Sequence, residues 1–310
     1  MSKKDSRDLS QSIRNKLLYR SKQKQVDFNN EVTRYALDRF LYRLGQSEYK
    51  NKFILKGATL FKVWNGELHR PTKDLDLLGF GESDISEIEK QIKAVCKIQC
   101  EDGIDLYPQS VRGEIIKEDQ EYEGIRIYIK YALAKNTGNI QIDIGFGDEI
   151  TPEPLEIEIP TDLDLDLPVP YLRIYPRETI VAEKFQAMVS LGISNSRMKD
   201  FYDILFLSRN FEFNGQLLKQ AIEKTFKRRK TSISDQIPLA LTDEFIQDTN
   251  KQKAWQAFLN KINIKDGEED FGKVIEELQH FLIPPYFAIS SQEVFEKLWL
   301  PDRKKWELTS

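Results

Sequence analysis

Apolar residues recur at helical spacing near the start of the chain. Leu9, Ile13, Leu17 and Leu18 form one set, and Val32, Tyr35, Ala36, Phe40, Leu41 and Leu44 a second. Residues 1–50 therefore read as helices. The pattern changes at Phe53. Phe53-Ile54-Leu55 is a short apolar run closed by Lys56-Gly57, and Thr59 to Trp64 reads as a short helix stopped by Asn65-Gly66. Leu75, Leu77 and Leu78 alternate with Asp74 and Asp76, the period of a strand, and Ile85 to Val95 is helical again. Arg126 to Ala134 and Ile140 to Phe146 are rich in β-branched and aromatic residues, and a turn at Asn136-Thr137-Gly138-Asn139 would join them as a hairpin. Residues 148–166 hold eight acids, no Lys or Arg, and three prolines, and read as a surface linker. Beyond Pro176 the periodicity predicts helices over 178–190, 198–209, 214–228, 243–261 and 270–281. The expectation is an α/β (α+β) domain with a mixed sheet over residues 1–175, then a helical domain over 176–310.

Composition narrows the chemistry. The chain has 310 residues, 40% hydrophobic and 31% charged, with a net charge of −4. Near balance argues against a generally polybasic nucleic-acid binder, although residues 1–50 carry twelve Lys/Arg against six acids. That excess, and Lys227-Arg228-Arg229-Lys230, are either solvated helix faces or surfaces for a polyanion. No run approaches the ~18 apolar residues of a membrane span, and the N-terminus lacks the apolar core of a secretory signal. The expected setting is the cytoplasm. Two cysteines, Cys96 and Cys100, and two histidines, His69 and His280, exclude a disulfide scaffold or zinc ribbon and leave little for a histidine-based triad. Cys96 and Cys100, four apart on an expected helix, read as packing residues, and His69 as a loop histidine. Catalysis would rest on carboxylates, lysines, hydroxyls and a carboxylate-held metal.

Arg70-Pro71-Thr72-Lys73-Asp74-Leu75-Asp76-Leu77 is the sharpest signal. On a strand, Asp74 and Asp76 share one face while Leu75 and Leu77 bury the other. Two neighbouring carboxylates repel unless a cation sits between them, and oxygen-only ligands favour Mg²⁺ together with substrate phosphate oxygens. The bland alternative is an exposed strand face. Upstream, the expected strand feeds Gly57-Ala58-Thr59 and then a helix, whose first N–H groups can hold a phosphate. Gly57 would let the backbone approach closely. A phosphate cradle beside an Asp pair is what metal-assisted phosphoryl or nucleotidyl transfer needs.

Lys56-Gly57-Ala58-Thr59-Leu60 followed by the Arg70–Leu77 segment resembles the first motif of the AbiEii/AbiGii-type nucleotidyltransferase toxins, in the polymerase-β-like nucleotidyltransferase superfamily. Ala58 stands where the superfamily has Gly or Ser, and fifteen residues, 59–73, precede Asp74. Later segments continue the resemblance: Gln141-Ile142-Asp143-Ile144, Glu183-Lys184, and Arg197-Met198-Lys199-Asp200-Phe201-Tyr202-Asp203. Residues 210–310 carry no matching motif. The resemblance implies a polymerase-β-like core with a C-terminal helical domain completing the active-site cleft. It implies catalytic roles for Asp74, Asp76, Lys184 and Asp200, and metal ligation by Asp74, Asp76 and Asp143. Lys56, Gly57, Thr59, Arg70, Thr72, Lys199 and Asp203 would bind nucleotide. As cleft residues, Lys184 and Asp200 are expected to be removable at little cost to the fold.

The resemblance further implies an Mg²⁺-dependent enzyme, with Mn²⁺ as the alternative ion. It would move a nucleoside monophosphate from a nucleoside triphosphate to tRNA or another RNA, within a toxin–antitoxin or phage-defence system and under an antitoxin protein. Rival readings are transfer to a protein or small molecule, a non-catalytic nucleotide or RNA binder, and a phosphodiesterase using the same carboxylates.

Overall fold

The computed structural model describes residues 3–66, 70, 72, 74–117, 123–161, 167–264 and 269–308. His69, Pro71 and Lys73, and the acidic positions Asp162, Asp164 and Asp166, lie outside the described residues. The chain divides into two units, residues 1–147 with 155–174, and residues 148–154 with 175–310.

In the first unit the two expected N-terminal helices are α1 (Lys3–Lys24) and α2 (Phe28–Gln46). Asp27 caps α2 by accepting the N–H of Asn30. Strand β1 (Phe53–Lys56) leads through Gly57 into α3 (Leu60–Asn65), which Gly66 ends in the left-handed conformation that glycine adopts without strain. Strand β2 (Leu75–Gly79) and helix α4 (Ile85–Cys96) follow. Then come β3 (Ile104–Leu106), β4 (Arg112–Lys117), β5 (Glu123–Leu133) and β6 (Asn136–Phe146). The β5–β6 hairpin turns at Ala134-Lys135, two residues before the expected turn, with Ala134 at φ 51°. The acidic stretch is not simply a linker. Part of it forms β7 (Leu155–Glu158), which pairs antiparallel with β8 (Tyr171–Ile174). Cys100 lies beyond the end of α4, so the two cysteines do not share a helix. Burial pushes the Cys96 thiol up to about 12.

The eight strands form one mixed sheet in the order β3-β5-β6-β2-β1-β8-β7, with β4 also beside β5. Strands β2 and β6 run parallel, whereas β1–β2 and β5–β6 are antiparallel. One face is an apolar layer in which Ile125, Ile127 and Ile129 register with Ile144, Ile142 and Ile140, all buried. Helices α2 and α4 lie on this face: Thr33 meets the Tyr131 hydroxyl at 2.8 Å, and a Cβ on Gly113 would strike Ile85 of α4.

A buried carboxylate ties α2 to the segment before β3. Asp102, fully buried, accepts Arg39 Nε at 2.9 Å and Arg43 Nη1 and Nη2 at 2.6 and 3.0 Å, while Tyr35 donates to its carbonyl at 2.6 Å. Arg20 and Arg34 converge on buried Glu31, each at 3.2 Å. The basic excess of residues 1–50 is therefore partly internal rather than an open cationic face.

The second unit is built from α5 (Arg177–Leu191), α6 (Met198–Asn210), β9 (Phe213–Asn214), α7 (Gly215–Arg228), α8 (Asp243–Gln247), α9 (Thr249–Lys261), α10 (Phe271–Ser290), β10 (Lys297–Leu300) and β11 (Lys305–Leu308). It is not wholly helical, because β9, β10 and β11 make a small antiparallel sheet. The expected 243–261 helix breaks at Asp248, whose side chain accepts the N–H groups of Asn250 and Lys251 and starts α9. Helix α10 runs on through Pro284 and Pro285, because Phe281, Leu282 and Tyr286 are buried around them. Residues 148–154 are tied in by Thr151, whose N–H and carbonyl both meet Thr179 Oγ1 at 2.9 Å.

Removing Asp102 leaves two buried guanidinium groups without their carboxylate. Asp102→Ala should lose about 3–5 kcal/mol of unfolding free energy in urea titration. A loss below about 1 kcal/mol would show that the cluster does not hold α2 in place.

Candidate active site

Strand register assembles a row of charge across the sheet. Lys56 on β1 registers with Asp76 on β2, Asp76 with Asp143 on β6, Asp143 with Arg126 on β5, and Arg126 with Glu114 on β4. Registered neighbours project from the same face, about 4.8 Å apart. The row lies on the face opposite the isoleucine layer. Arg126 grips Asp143 through Nε and Nη2, each at 2.8 Å, and Gln141 Nε2 adds a contact at 3.2 Å. The guanidinium is held firmly protonated, chiefly by this hydrogen bonding to Asp143. Asp143, expected as a third metal ligand, thus has both oxygens on Arg126.

Gly57 meets Asp76 at close range. Its φ is +77°, and a Cβ placed there would come within 2.7 Å of Asp76 Cγ. Glycine is required twice, for the left-handed backbone and for the space the carboxylate occupies. Leu60, Phe61 and Lys62 give their N–H groups to the carbonyls of Gly57, Ala58 and Thr59. Among the described residues no acceptor meets the N–H of Ala58 or Thr59. Helix α3 has only six residues, so the turn's own N–H groups, rather than a long helix dipole, would favour an anion here. Asp74 is exposed just before β2, and Thr72 Oγ1 lies 3.5 Å from its carbonyl. Arg70 is half-buried, and Lys56 is 7% exposed.

No three His, Cys, Asp or Glu side chains group as a ready-made metal cage among the described residues. Asp74 and Asp76 still fit a hard divalent cation. Mg²⁺ commonly takes only one or two carboxylates and completes its shell with water and substrate phosphate.

In the second unit α5 and α6 bring together the other expected residues. Lys184 Nζ lies 2.7 Å from Asp200 Oδ1 and 2.7 Å from Asp203 Oδ2, and Arg197 Nε lies 2.7 Å from Asp200 Oδ2. Both carboxylates are fully buried, so Lys184 is no surface lysine, and Asp200 and Asp203 are no solvated helix face. Lys199 is exposed. Asp148 and Glu183 engage Arg229 at 2.9 and 3.7 Å, beside Tyr175, whose hydroxyl is pushed well above its usual range by burial. Arg229 therefore leaves the expected Lys227–Lys230 surface patch for an internal ion pair.

The sequence model of the family described as nucleotidyl transferase AbiEii toxin, type IV TA system, matches residues 39–277. The chain belongs to this family. The match takes in Gly57, Asp74, Asp76, Asp143, Lys184 and Asp200. A candidate nucleotidyltransferase from H. pylori, known from a crystal structure, is 17% identical with a TM-score of 0.42, over 86% of this chain and 96% of that one. JHP933 from Helicobacter pylori is 15% identical with a TM-score of 0.39, over 82% and 93%. No curated protein matches. Membership in the AbiEii family implies a nucleotide substrate and an antitoxin partner. Among the described residues no helix is long and apolar enough to cross a membrane.

Sequence reasoning on this AbiEii chain missed Arg126. The signal was available: Arg126 and Asp143 each sit at a polar position within an isoleucine alternation, and only the hairpin register shows that they face each other.

Two outcomes follow from this geometry. Gly57→Ala should displace the Asp76 carboxylate and abolish the rise in melting temperature caused by nucleoside triphosphate with Mg²⁺. A parental rise would separate Gly57 from the binding site. Lys184→Met should unfold at lower urea, by about 3–5 kcal/mol, because it removes the cation that buried Asp200 and Asp203 share and leaves Asp200 with Arg197 alone. This corrects the expectation that Lys184 is removable at little cost, and a parental urea midpoint would overturn the correction.

Proposed function

We propose that this AbiEii-family protein joins a nucleoside monophosphate to the hydroxyl of an RNA acceptor and releases pyrophosphate. The observation that carries the reading is the contact of Gly57 with the Asp76 carboxylate. It brings the turn that carries the Ala58 and Thr59 N–H groups up to the Asp76 carboxylate, two residues after Asp74. Those N–H groups would receive triphosphate oxygens, and Asp74 with Asp76 would hold a divalent cation, with Mg²⁺ favoured by the all-oxygen donor set. When bound, that cation supplies charge stabilisation to the phosphoryl oxygens and lowers the pKa of the attacking hydroxyl.

The acceptor oxygen forms a bond to the α-phosphorus while the bond to the pyrophosphate bridging oxygen breaks. The hydroxyl proton leaves to a nearby carboxylate or to water. Asp143 orients Arg126 on the same face, where its fixed positive charge would balance the phosphates. Lys56, with Arg70 and Thr72, would contact the triphosphate. Lys184, Asp200 and Asp203, which the family motifs single out, form one buried ion cluster within the second unit, and Lys199 is exposed beside it.

Incubation with each labelled nucleoside triphosphate, Mg²⁺ and total RNA should label RNA with the parent protein. Asp74→Asn with Asp76→Asn should abolish labelling and the nucleotide-dependent rise in melting temperature, with the metal-free melt near the parent or higher. An equal rise in the double variant would refute the cation assignment, and label only on protein would refute the RNA acceptor.

A further inference from the structure

The sheet face that bears the Asp76–Asp143 row continues past it onto β5 and β4, and that continuation is open. Arg112 on β4 registers with Tyr128 on β5, and Tyr128 with Gln141 on β6. Arg112 and Lys130 are exposed, and Tyr128 is half-buried. Beneath them, on the opposite face, Ile127, Ile129, Ile140 and Ile142 are buried. The same strands thus show one apolar and one polar side, and the polar side contains an aromatic ring.

On β4, β5 and β6 this face carries three cations, Arg112, Arg126 and Lys130, against two acids, Glu114 and Asp143. Asp143 is gripped by Arg126, while Glu114 accepts the neutral Tyr128 hydroxyl at 2.9 Å and keeps its own charge. Arg112 and Lys130 have no ion-pair partner among the described residues. The Arg112 guanidinium instead lies over the Tyr128 ring, 4.8 Å from its centroid. An arginine laid on a tyrosine is a stacking platform with positive charge. Single-stranded nucleic acids are held by such aromatic and guanidinium planes, together with cations that follow the backbone. Two strand spacings across and two residues along set Tyr128 about 12 Å from Asp76, within reach of the terminal nucleotides of a strand whose end lies at Asp76.

We propose that the open face of β4, β5 and β6 docks the single-stranded end of the RNA acceptor, with Tyr128 and Arg112 stacking a base and Lys130 meeting a phosphate. This rests on the RNA reading above and adds its binding surface. It also moves the acceptor away from the patches read from sequence, since Arg39, Arg43 and Arg229 are committed to internal carboxylates.

The test measures fluorescence anisotropy of a labelled single-stranded RNA oligonucleotide on the full chain across a salt series. Tyr128→Ala should weaken binding roughly tenfold, whereas Tyr128→Phe, which keeps the ring, should bind like the parent. Arg112→Gln with Lys130→Gln should flatten the log–log salt slope by about 0.7 for each phosphate left without its cation. In all of these variants the melting-temperature rise with nucleoside triphosphate and Mg²⁺ should stay parental, which shows that the fold and the nucleotide site are intact. RNA affinities within twofold of the parent, or equal weakening in Tyr128→Ala and Tyr128→Phe, would overturn the platform while RNA labelling by the parent keeps the nucleotidyl-transfer reading. Labelling of protein alone in a lysate would overturn both.

Discussion

The register between β2 and β6 is the constraint on which the rest of the first unit depends. It sets Asp76 beside Asp143, and the β5–β6 register then sets Arg126 beside Asp143. A strand has period two, so a slip of one residue would turn Asp76 into the isoleucine layer and Leu77 out of it. Burying each isoleucine contributes about 1.5–3 kcal/mol, and a lone carboxylate in that layer would cost several more. The apolar face therefore holds the polar face in position. Charge placement comes from hydrophobic burial, not from attraction among the charged groups themselves. Gly57 closes the arrangement at one end, because its missing side chain is where the Asp76 carboxylate lies.

Buried ion clusters do similar work in both units. Asp102 is shared by Arg39 and Arg43, and Asp200 by Lys184 and Arg197. A carboxylate removed from water needs such partners to stay charged, and the geometry that satisfies it leaves few other packings. The first cluster fixes α2 against the segment before β3. The second fixes α5 against α6 and carries the spacing of the family motifs without being a surface feature. Such clusters bring orientation more than net stability, since well-packed apolar groups of similar volume often stabilise as much.

This use of charge explains where the sequence was legible and where it was not. Helices α1 and α2, the β1–α3 turn, β2, α4 and the β5–β6 hairpin could be read directly, because each writes its own period of 3.6 or 2 over several residues. Strands β3 and β4 could not, being short and lacking clear alternation. Strand β7 hid among acids and prolines, since among the described residues its only strand partner is β8, which is itself just four residues long. The small sheet of β9, β10 and β11 was invisible because β9 joins β10 across more than eighty residues. Local charge sums misread the surface, because Arg39, Arg43 and Arg229 reach carboxylates that lie far away along the chain.

By itself the sequence determined the family, the glycine at position 57, and the alternation of Asp76 with Leu75 and Leu77 that sends its carboxylate to the polar side of β2. Those features are local, set by backbone sterics and side-chain period. Only the tertiary structure decided which strand lies beside which. That pairing placed Arg126 on Asp143, sent Lys184 between two buried aspartates, and left Arg112, Tyr128 and Lys130 on an open face. Residues far apart in sequence meet only when long-range burial selects one register among many, and no local pattern encodes that choice.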